Sequence, residues 1–175
     1  MKDILARAAR IRLLIFDVDG VLTDGALFVG DDGQEYKAFH SRDGHGIKML
    51  MRYGVEVGII TGRTSQVVVH RMNNLGITHV FQGQLDKVPA FETLCARLGV
   101  RPEETAYVGD DVVDLPVMRR VGLAIAVQDA HPLVLRHAHW QTRHGGGRGA
   151  ARDVCELLLE AQGRLDEAMN EYLEG

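Results

Sequence analysis

Leu13-Leu14-Ile15-Phe16-Asp17-Val18-Asp19-Gly20-Val21-Leu22-Thr23 is the stretch that organises this chain. Four apolar residues run straight into two aspartates two positions apart, and then into a glycine turn. A short unbroken apolar run reads as a buried strand. Carboxylates at its end put negative charge at the rim of a core, which is costly unless the charge is paired or binds a metal. An aspartate so placed can attack phosphorus, hold a hard cation, or do both. Asp-x-Asp alone also reads as a solvated turn, so the rest of the chain has to decide.

Working outward, short apolar runs alternate with helical patterns. Strands are expected at Ile11–Phe16, Val55–Ile60, His79–Phe81, Thr105–Val108 and Gly122–Val127, with a sixth near Trp140. Helices are expected over Gly44–Tyr53, Ser65–Leu75, Lys87–Leu98, Val112–Arg120 and Ala150–Gly163. This alternation predicts an α/β fold, a Rossmann-like parallel sheet with helices on both faces. Ligands of such sheets bind beyond the carboxyl ends of the strands. Asp17 and Asp19, Thr61, and Asp110 and Asp111 all fall at those ends.

Two segments break the alternation. Residues 25–39 read as a β-hairpin turning through Gly30-Asp31-Asp32-Gly33, too short to be a second domain. In the tail, about 145–175, Leu165, Met169 and Leu173 recur at fours, a weak amphipathic helix that either docks on a neighbouring subunit or frays. Gly145–Gly149 reads as a flexible loop, or as an arm carrying Arg148 over a neighbour's site. Residues 1–175 are expected to form one domain.

Composition narrows the class. The apolar fraction of 46% and charged fraction of 25% are those of a soluble globular chain. A net charge of −4 makes nucleic acid a poor partner. No run has the length of a membrane span, and no signal-peptide core is present, so a cytoplasmic protein is expected. Cys95 and Cys155 sit in apolar helical contexts and read as reduced core residues. His137, His139 and His144 read as surface histidines with no carboxylate or cysteine to frame a metal, and Trp140 reads as packing.

The strand ends carry the chemistry. Two carboxylates at Asp17 and Asp19 can divide labour between attack on phosphorus and proton transfer. Thr61-Gly62-Arg63, just before a helix, offers a hydroxyl and backbone N–H groups to an anion, or simply caps that helix. Arg63 can fork onto a carboxylate or phosphate. Lys87 opens a helix against the macrodipole, which a phosphoryl group beside carboxylates would favour; a solvated surface lysine is the plainer reading. Asp110 with Asp17 can supply hard oxygen ligands to Mg²⁺, and Asp114 reads as a helix cap.

The order Asp17-x-Asp19-x-x-x-Thr23, Thr61, Lys87, Gly109-Asp110-Asp111-x-x-Asp114 resembles the four motifs of the haloacid dehalogenase-like phosphatases. Ser41-Arg42-Asp43-Gly44, Gly76-Ile77-Thr78-His79, Ala130-His131-Pro132 and Gly146-Gly147-Arg148-Gly149-Ala150 extend the similarity to their small capless group, which carries a hairpin in place of a cap. The resemblance implies a Mg²⁺-dependent hydrolase of 3-deoxy-D-manno-octulosonate 8-phosphate in lipopolysaccharide biosynthesis. It implies Asp17 as the nucleophile forming an aspartyl-phosphate and Asp19 as acid and base. Asp17, Asp110 and the Asp19 carbonyl would hold the metal, and Thr61 and Lys87 the phosphoryl oxygens. It implies substrate contacts from Asp19, His40, Ser41, Arg42, Asp43, Gly44, Lys48, Arg63, Arg71, Lys87 and Asp111. Lys48 stands where an arginine is usual, and a lysine loses the bidentate fork.

The missing cap has a consequence. A hairpin bearing Leu27, Phe28, Val29 and Phe39 cannot bury them alone, so hairpins from several chains are expected to pair, with neighbours completing each site. The resemblance implies a homotetramer. Two other readings stand beside this one: the same chemistry on a nine-carbon sialic-type acid phosphate, and a non-catalytic assembly or regulatory domain of the same fold.

Overall fold

The buried run Leu13–Phe16 forms β1, buried at all four positions, in a computed structural model that describes residues 1–174. It is preceded by α1 (Lys2–Ala8) and followed by a small hairpin, β2 (Phe28–Val29) with β3 (Glu35–Tyr36). Then come α2 (Ser41–Arg52), β4 (Glu56–Ile60), α3 (Gln66–Leu75), β5 (His79–Phe81), α4 (Val88–Leu98) and β6 (Thr105–Gly109). The chain ends with α5 (Leu115–Met118), β7 (Leu123–Ala126), α6 (Pro132–His137), β8 (Trp140–Gln141), α7 (Ala150–Ala161) and α8 (Leu165–Asn170).

Six strands form one parallel sheet in the order β5-β4-β1-β6-β7-β8. Being covered on both sides, β1 and β7 carry unbroken apolar sequence rather than alternation. Phe16 stands beside Ile59 of β4 and Val108 of β6, so the three strands end level. The chain leaves β1 toward β4 on one side and reaches β6 on the other. That reversal opens a crevice at the carboxyl ends, and Asp17, Thr61 and Asp110 are the residues that step into it. Amphipathic α7 buries Val154, Cys155 and Leu158 while packing on α2 and α1. Cys95 and Cys155 are buried and free.

The expected strands and three of the five expected helices are present within one or two residues of their expected ends, α2 begins three residues early at Ser41, and three further elements differ. The helices α1 and α6 had no reading in the sequence, since each is short and lacks a full amphipathic period. The helix expected over Val112–Arg120 is broken into a 3₁₀ turn at Val112–Asp114 followed by α5, with Pro116 in its first turn. The tail helix packs on its own chain as far as Met169, while Leu173 of the same stripe stays 80% exposed. Ala168 is buried, Leu165 and Met169 pack on the core, and Glu171 accepts from Tyr53 Oη at 2.9 Å and pairs with Arg52 at 2.8 Å. Gly175 lies outside the described residues.

The glycine run is a packed segment, which corrects the flexible-loop reading. Gly147 N–H donates to the Val21 carbonyl at 2.9 Å. A Cβ at Gly146 would stand 1.8 Å from the Gly20 carbonyl oxygen, so only glycine lets the two backbones approach. Arg148 reaches Asp24 of its own chain at 3.3 Å. Gly146→Ala is therefore expected to lower stability by about 2–3 kcal/mol through overpacking against backbone, read as a shift in the urea midpoint. A wild-type midpoint would contradict the close approach.

His137, His139 and His144 are exposed, as expected of surface histidines. One point is corrected, since a carboxylate does frame His144: Asp153 Oδ1 lies 2.9 Å from its Nδ1, and Oδ2 accepts from the N–H groups of Arg143 and His144. His139 Nδ1 accepts from Ala124 N–H at 2.8 Å beside β7, and burial and then Arg7 push its pKa down.

Candidate active site

Four segments distant in sequence meet at the crevice. Its volume is about 200 Å³, and its walls include Asp17, Asp19, Thr61, Arg63, Lys87, Asp110 and Asp111. Gly20 follows with φ +89°, and a Cβ there would sit 2.1 Å from Asp110 Oδ2, so the glycine lets the first and fourth segments close on each other.

Asp17 is 6% exposed. Its Oδ1 accepts from Val18 N–H at 2.7 Å and lies 3.1 Å from Lys87 Nζ. Lys87 is buried, which excludes the solvated-lysine reading; its ammonium also donates to Asp114 Oδ1 at 2.6 Å and Tyr107 Oη at 3.2 Å. Tyr107 Oη donates to the same Asp114 oxygen at 2.7 Å. The other oxygen, Oδ2, accepts from the N–H groups of Asp110 and Asp111. Asp114 thus joins the cap of the 3₁₀ turn to a buried charge network, and its reading as a helix cap alone is corrected. Asp111 stays exposed and accepts from Val112 N–H.

Burial and mutual repulsion set the electrostatics. Asp17 is pushed up to about 6, by burial first and by Asp114 second, against the opposing pull of Lys87. Asp110 is pushed up to about 8 by burial and then by Asp114 and Asp17. Burial works against the charge on Lys87, yet Asp17 and Asp114 hold its pKa above the usual value. Three carboxylates share one ammonium, and the rim is short of positive charge.

That shortage fits a cation. Oxygens of Asp17, Asp110 and Asp114 lie within 4.8 Å of one another. Asp110 Oδ1 is buried with no hydrogen-bond partner, which is costly for a carboxylate oxygen. Asp114 has both oxygens engaged by protein donors. Asp17 and Asp110 are therefore the pair able to ligate, and two carboxylates with open space beside them suit Mg²⁺.

The sequence-derived contacts divide into two groups. Asp19, Thr61, Arg63, Lys87 and Asp111 line the crevice with Asp17 and Asp110. The crevice walls do not include His40, Ser41, Arg42, Asp43, Gly44, Lys48 or Arg71. Ser41, Arg42 and Lys48 are exposed on α2. Asp43 is buried and accepts from Gly149 N–H at 3.3 Å and Arg152 N–H at 2.9 Å, tying α2 to the start of α7. His40, Asp43, Gly44 and Arg71 line a separate cavity of about 10 Å³.

Three polar residues at the site had no role in the sequence reading. Tyr107 hid inside an apolar strand. Glu35 and Lys37 lie on the hairpin's return leg, where Glu35 takes Arg63 at 2.7 Å and Lys37 takes Asp19. Only the alternation of charged with apolar residues along Glu35–Phe39 hinted that one side of that leg faces inward.

Fold and crevice together define a phosphohydrolase of the haloacid dehalogenase-like class. The model of the haloacid dehalogenase-like hydrolase family matches residues 72–152. The 3-deoxy-D-manno-octulosonate 8-phosphate phosphatase of Escherichia coli K12 is 54% identical over 171 residues, covering 98% of this chain and 91% of that protein. The crystal structure of the phosphatase of that name from Yersinia pestis superposes with a TM-score of 0.93 at 54% identity, over 94% of this chain and 89% of the other. The Moraxella catarrhalis phosphatase, solved with magnesium, phosphate and the sugar acid KDO, gives a TM-score of 0.96 at 40% identity, over 98% and 99% of the two chains. This chain belongs to the 3-deoxy-D-manno-octulosonate 8-phosphate phosphatase family.

Proposed function

We propose that this chain hydrolyses 3-deoxy-D-manno-octulosonate 8-phosphate to the free sugar acid and phosphate, a step of lipopolysaccharide biosynthesis, with Mg²⁺ held by Asp17, Asp110 and the Asp19 carbonyl. The observation that carries it is the buried Asp17 carboxylate, held by Lys87 on one oxygen and within 4.8 Å of a carboxylate oxygen of Asp110, whose Oδ1 is buried without a hydrogen-bond partner. When bound, the cation would neutralise charge on the phosphoryl oxygens and on the crowded carboxylates.

The protein groups divide the remaining work. With Oδ1 of Asp17 engaged by Val18 N–H and Lys87, Oδ2 is the oxygen free to attack phosphorus. Thr61 and Lys87 hold the phosphoryl oxygens and offset the charge of the transition state. Asp19 protonates the departing sugar oxygen and later takes a proton from the water that hydrolyses the aspartyl-phosphate. Covalent capture splits one slow hydrolysis into two easier steps. Arg63 and Asp111, both on the crevice wall, are the proposed contacts of the sugar acid there.

Initial rates with Mg²⁺ on the eight-carbon ester and on a nine-carbon sialic-type acid 9-phosphate test the reading. A higher kcat/KM on the eight-carbon ester is expected. Preference for the nine-carbon ester moves the substrate assignment, and no hydrolysis of either removes the function.

The metal-free protein carries a pH signature. A carboxyl raised in the folded state to about 8, as Asp110 is, stabilises most below its unfolded value near 3.8, and the benefit is lost as pH rises through 8. With chelator present, the thermal midpoint is expected to fall from pH 5 to pH 8. Mg²⁺ should raise it more at pH 8 than at pH 5, because the ligands must be deprotonated. Equal increments at both would contradict the ligand assignment.

The assembly is part of the same proposal: a homotetramer in the cytoplasm, in which neighbouring copies meet through the hairpin. Leu27, Phe28, Val29 and Tyr36 are 46–63% exposed on it, more apolar surface than a lone two-stranded ribbon can bury. Among the described residues, no helix is long and apolar enough to cross a membrane. In such an assembly the α2 face with Ser41, Arg42 and Lys48 is available to complete a neighbour's pocket. Phe28→Glu is expected to dissociate the tetramer in sedimentation velocity and to raise KM. A wild-type that sediments as an active monomer would remove the assembly.

A further inference from the structure

Lys37 leaves the hairpin just after β3, and its side chain is 0% exposed. The ammonium donates to Asp19 Oδ1 at 2.5 Å and lies 3.5 Å from Glu35 Oε1, which in turn takes Arg63 at 2.7 Å. A line of alternating charge therefore runs from Arg63 through Glu35 and Lys37 to Asp19. Burying an ammonium is costly unless close partners compensate it, so a lysine serving only solubility would not lie here. Asp19 keeps 19% of its side chain exposed, toward the crevice. Its second oxygen, Oδ2, has no protein hydrogen bond among the described residues.

We propose that Lys37 is a positioning residue for proton transfer: by occupying Oδ1 it fixes the Asp19 carboxyl and makes Oδ2 the oxygen that carries the proton. The proposal rests on the acid and base role of Asp19 given above. An ammonium donates in every orientation and accepts nothing, so a proton on Oδ1 would face a donor. On Oδ2 it faces the crevice. As the phosphorus–oxygen bond to the sugar breaks, its electron pair stays on the ester oxygen, which takes the Oδ2 proton. Water then adds to the phosphorus of the aspartyl-phosphate and gives one proton to Oδ2. The bond from phosphorus to Asp17 breaks, and its pair returns to the carboxylate. A carboxyl free to rotate about its side-chain torsions would meet each oxygen only part of the time. Because Lys37 comes from the hairpin, the folding of that ribbon sets the geometry of the proton donor.

The test compares two esters in one enzyme preparation: the sugar-acid phosphate, whose alkoxide needs a proton to leave, and p-nitrophenyl phosphate, whose phenolate does not. The ratio of their kcat/KM values does not depend on how much of a variant is folded. In Lys37→Met the sugar ester should lose ~100-fold in kcat/KM through kcat, and the aryl ester less than ~10-fold. Lys37→Arg, which keeps a buried donor, should restore most of the ratio. An unchanged ratio, or a loss carried wholly by KM, overturns the positioning role and makes Lys37 a structural or substrate contact. Asp19→Asn separates the two levels. If that variant hydrolyses the sugar ester within ~10-fold of wild type, the Asp19 assignment has failed. If it loses activity while Lys37→Met keeps the wild-type ratio, only Lys37 has.

Discussion

Asp17→Asn should lower kcat/KM on the sugar-acid phosphate by ~10⁴-fold or more while the protein stays folded. An amide oxygen is too weak a nucleophile to form the phosphoenzyme, and the amide is a poorer ligand for a hard cation. Stability should not fall. Asp17 is buried against Asp114 and its pKa is pushed up to about 6, so above that pH its charge disfavours the folded state of the metal-free protein. The variant is expected to melt at or above the wild-type temperature in chelator at pH 8. Circular dichroism melts with single-turnover rates check both halves. Turnover near that of wild type would show that Asp17 is not the nucleophile.

Lys87→Met should damage both stability and activity. Met has nearly the same length and fills the same space, so the change isolates the charge. It leaves Asp17 and Asp114 facing each other with no cation, beside a Tyr107 hydroxyl that has one partner fewer. Breaking a buried ion pair from one side costs about 3–5 kcal/mol, which lowers the melting midpoint of a chain this size by roughly 6–20 °C. The loss should shrink at lower pH, where a carboxyl takes up a proton in place of the missing ammonium. The Lys87→Met, Asp114→Asn double variant should recover part of the stability, a coupling expected for residues in contact. Activity should fall by ~10³-fold or more even where the fold survives, because Lys87 lines the crevice and is the proposed holder of a phosphoryl oxygen. A midpoint unchanged at pH 8 would mean that the Lys87 charge is not compensated inside the protein as its geometry implies.

Much of the architecture was legible because it is local. Leu13–Phe16 and the runs 57–60 and 106–109 are mostly apolar stretches of strand length closed by polar residues, and the helices between them carry amphipathic spacing. Asp17, Thr61 and Asp110 could be assigned to one rim because strands of a parallel sheet end on the same side. The hairpin was legible from Gly30 to Gly33, where the turn chemistry is strong, although its paired strands are only two residues each. What escaped was pairing at a distance. Asp114 looked like a cap because its sequence neighbours are a helix start, and half of its hydrogen bonds do serve that turn. The other half go to Lys87, 27 positions away, and to Tyr107.

The amino-acid order alone determined the alternation of strand and helix and the identity of the groups at each strand end, since backbone periodicity and solvation act over a few residues. Tertiary packing alone decided which charges meet. It set Lys87 between two buried carboxylates, brought Lys37 onto Asp19 across 18 positions, laid Gly146 on the Gly20 carbonyl, and turned the Asp43 carboxylate toward the start of α7. The reason is physical: the free energy of a buried charge or of two touching backbones depends on what lies opposite in space, and no local pattern encodes the opposite side.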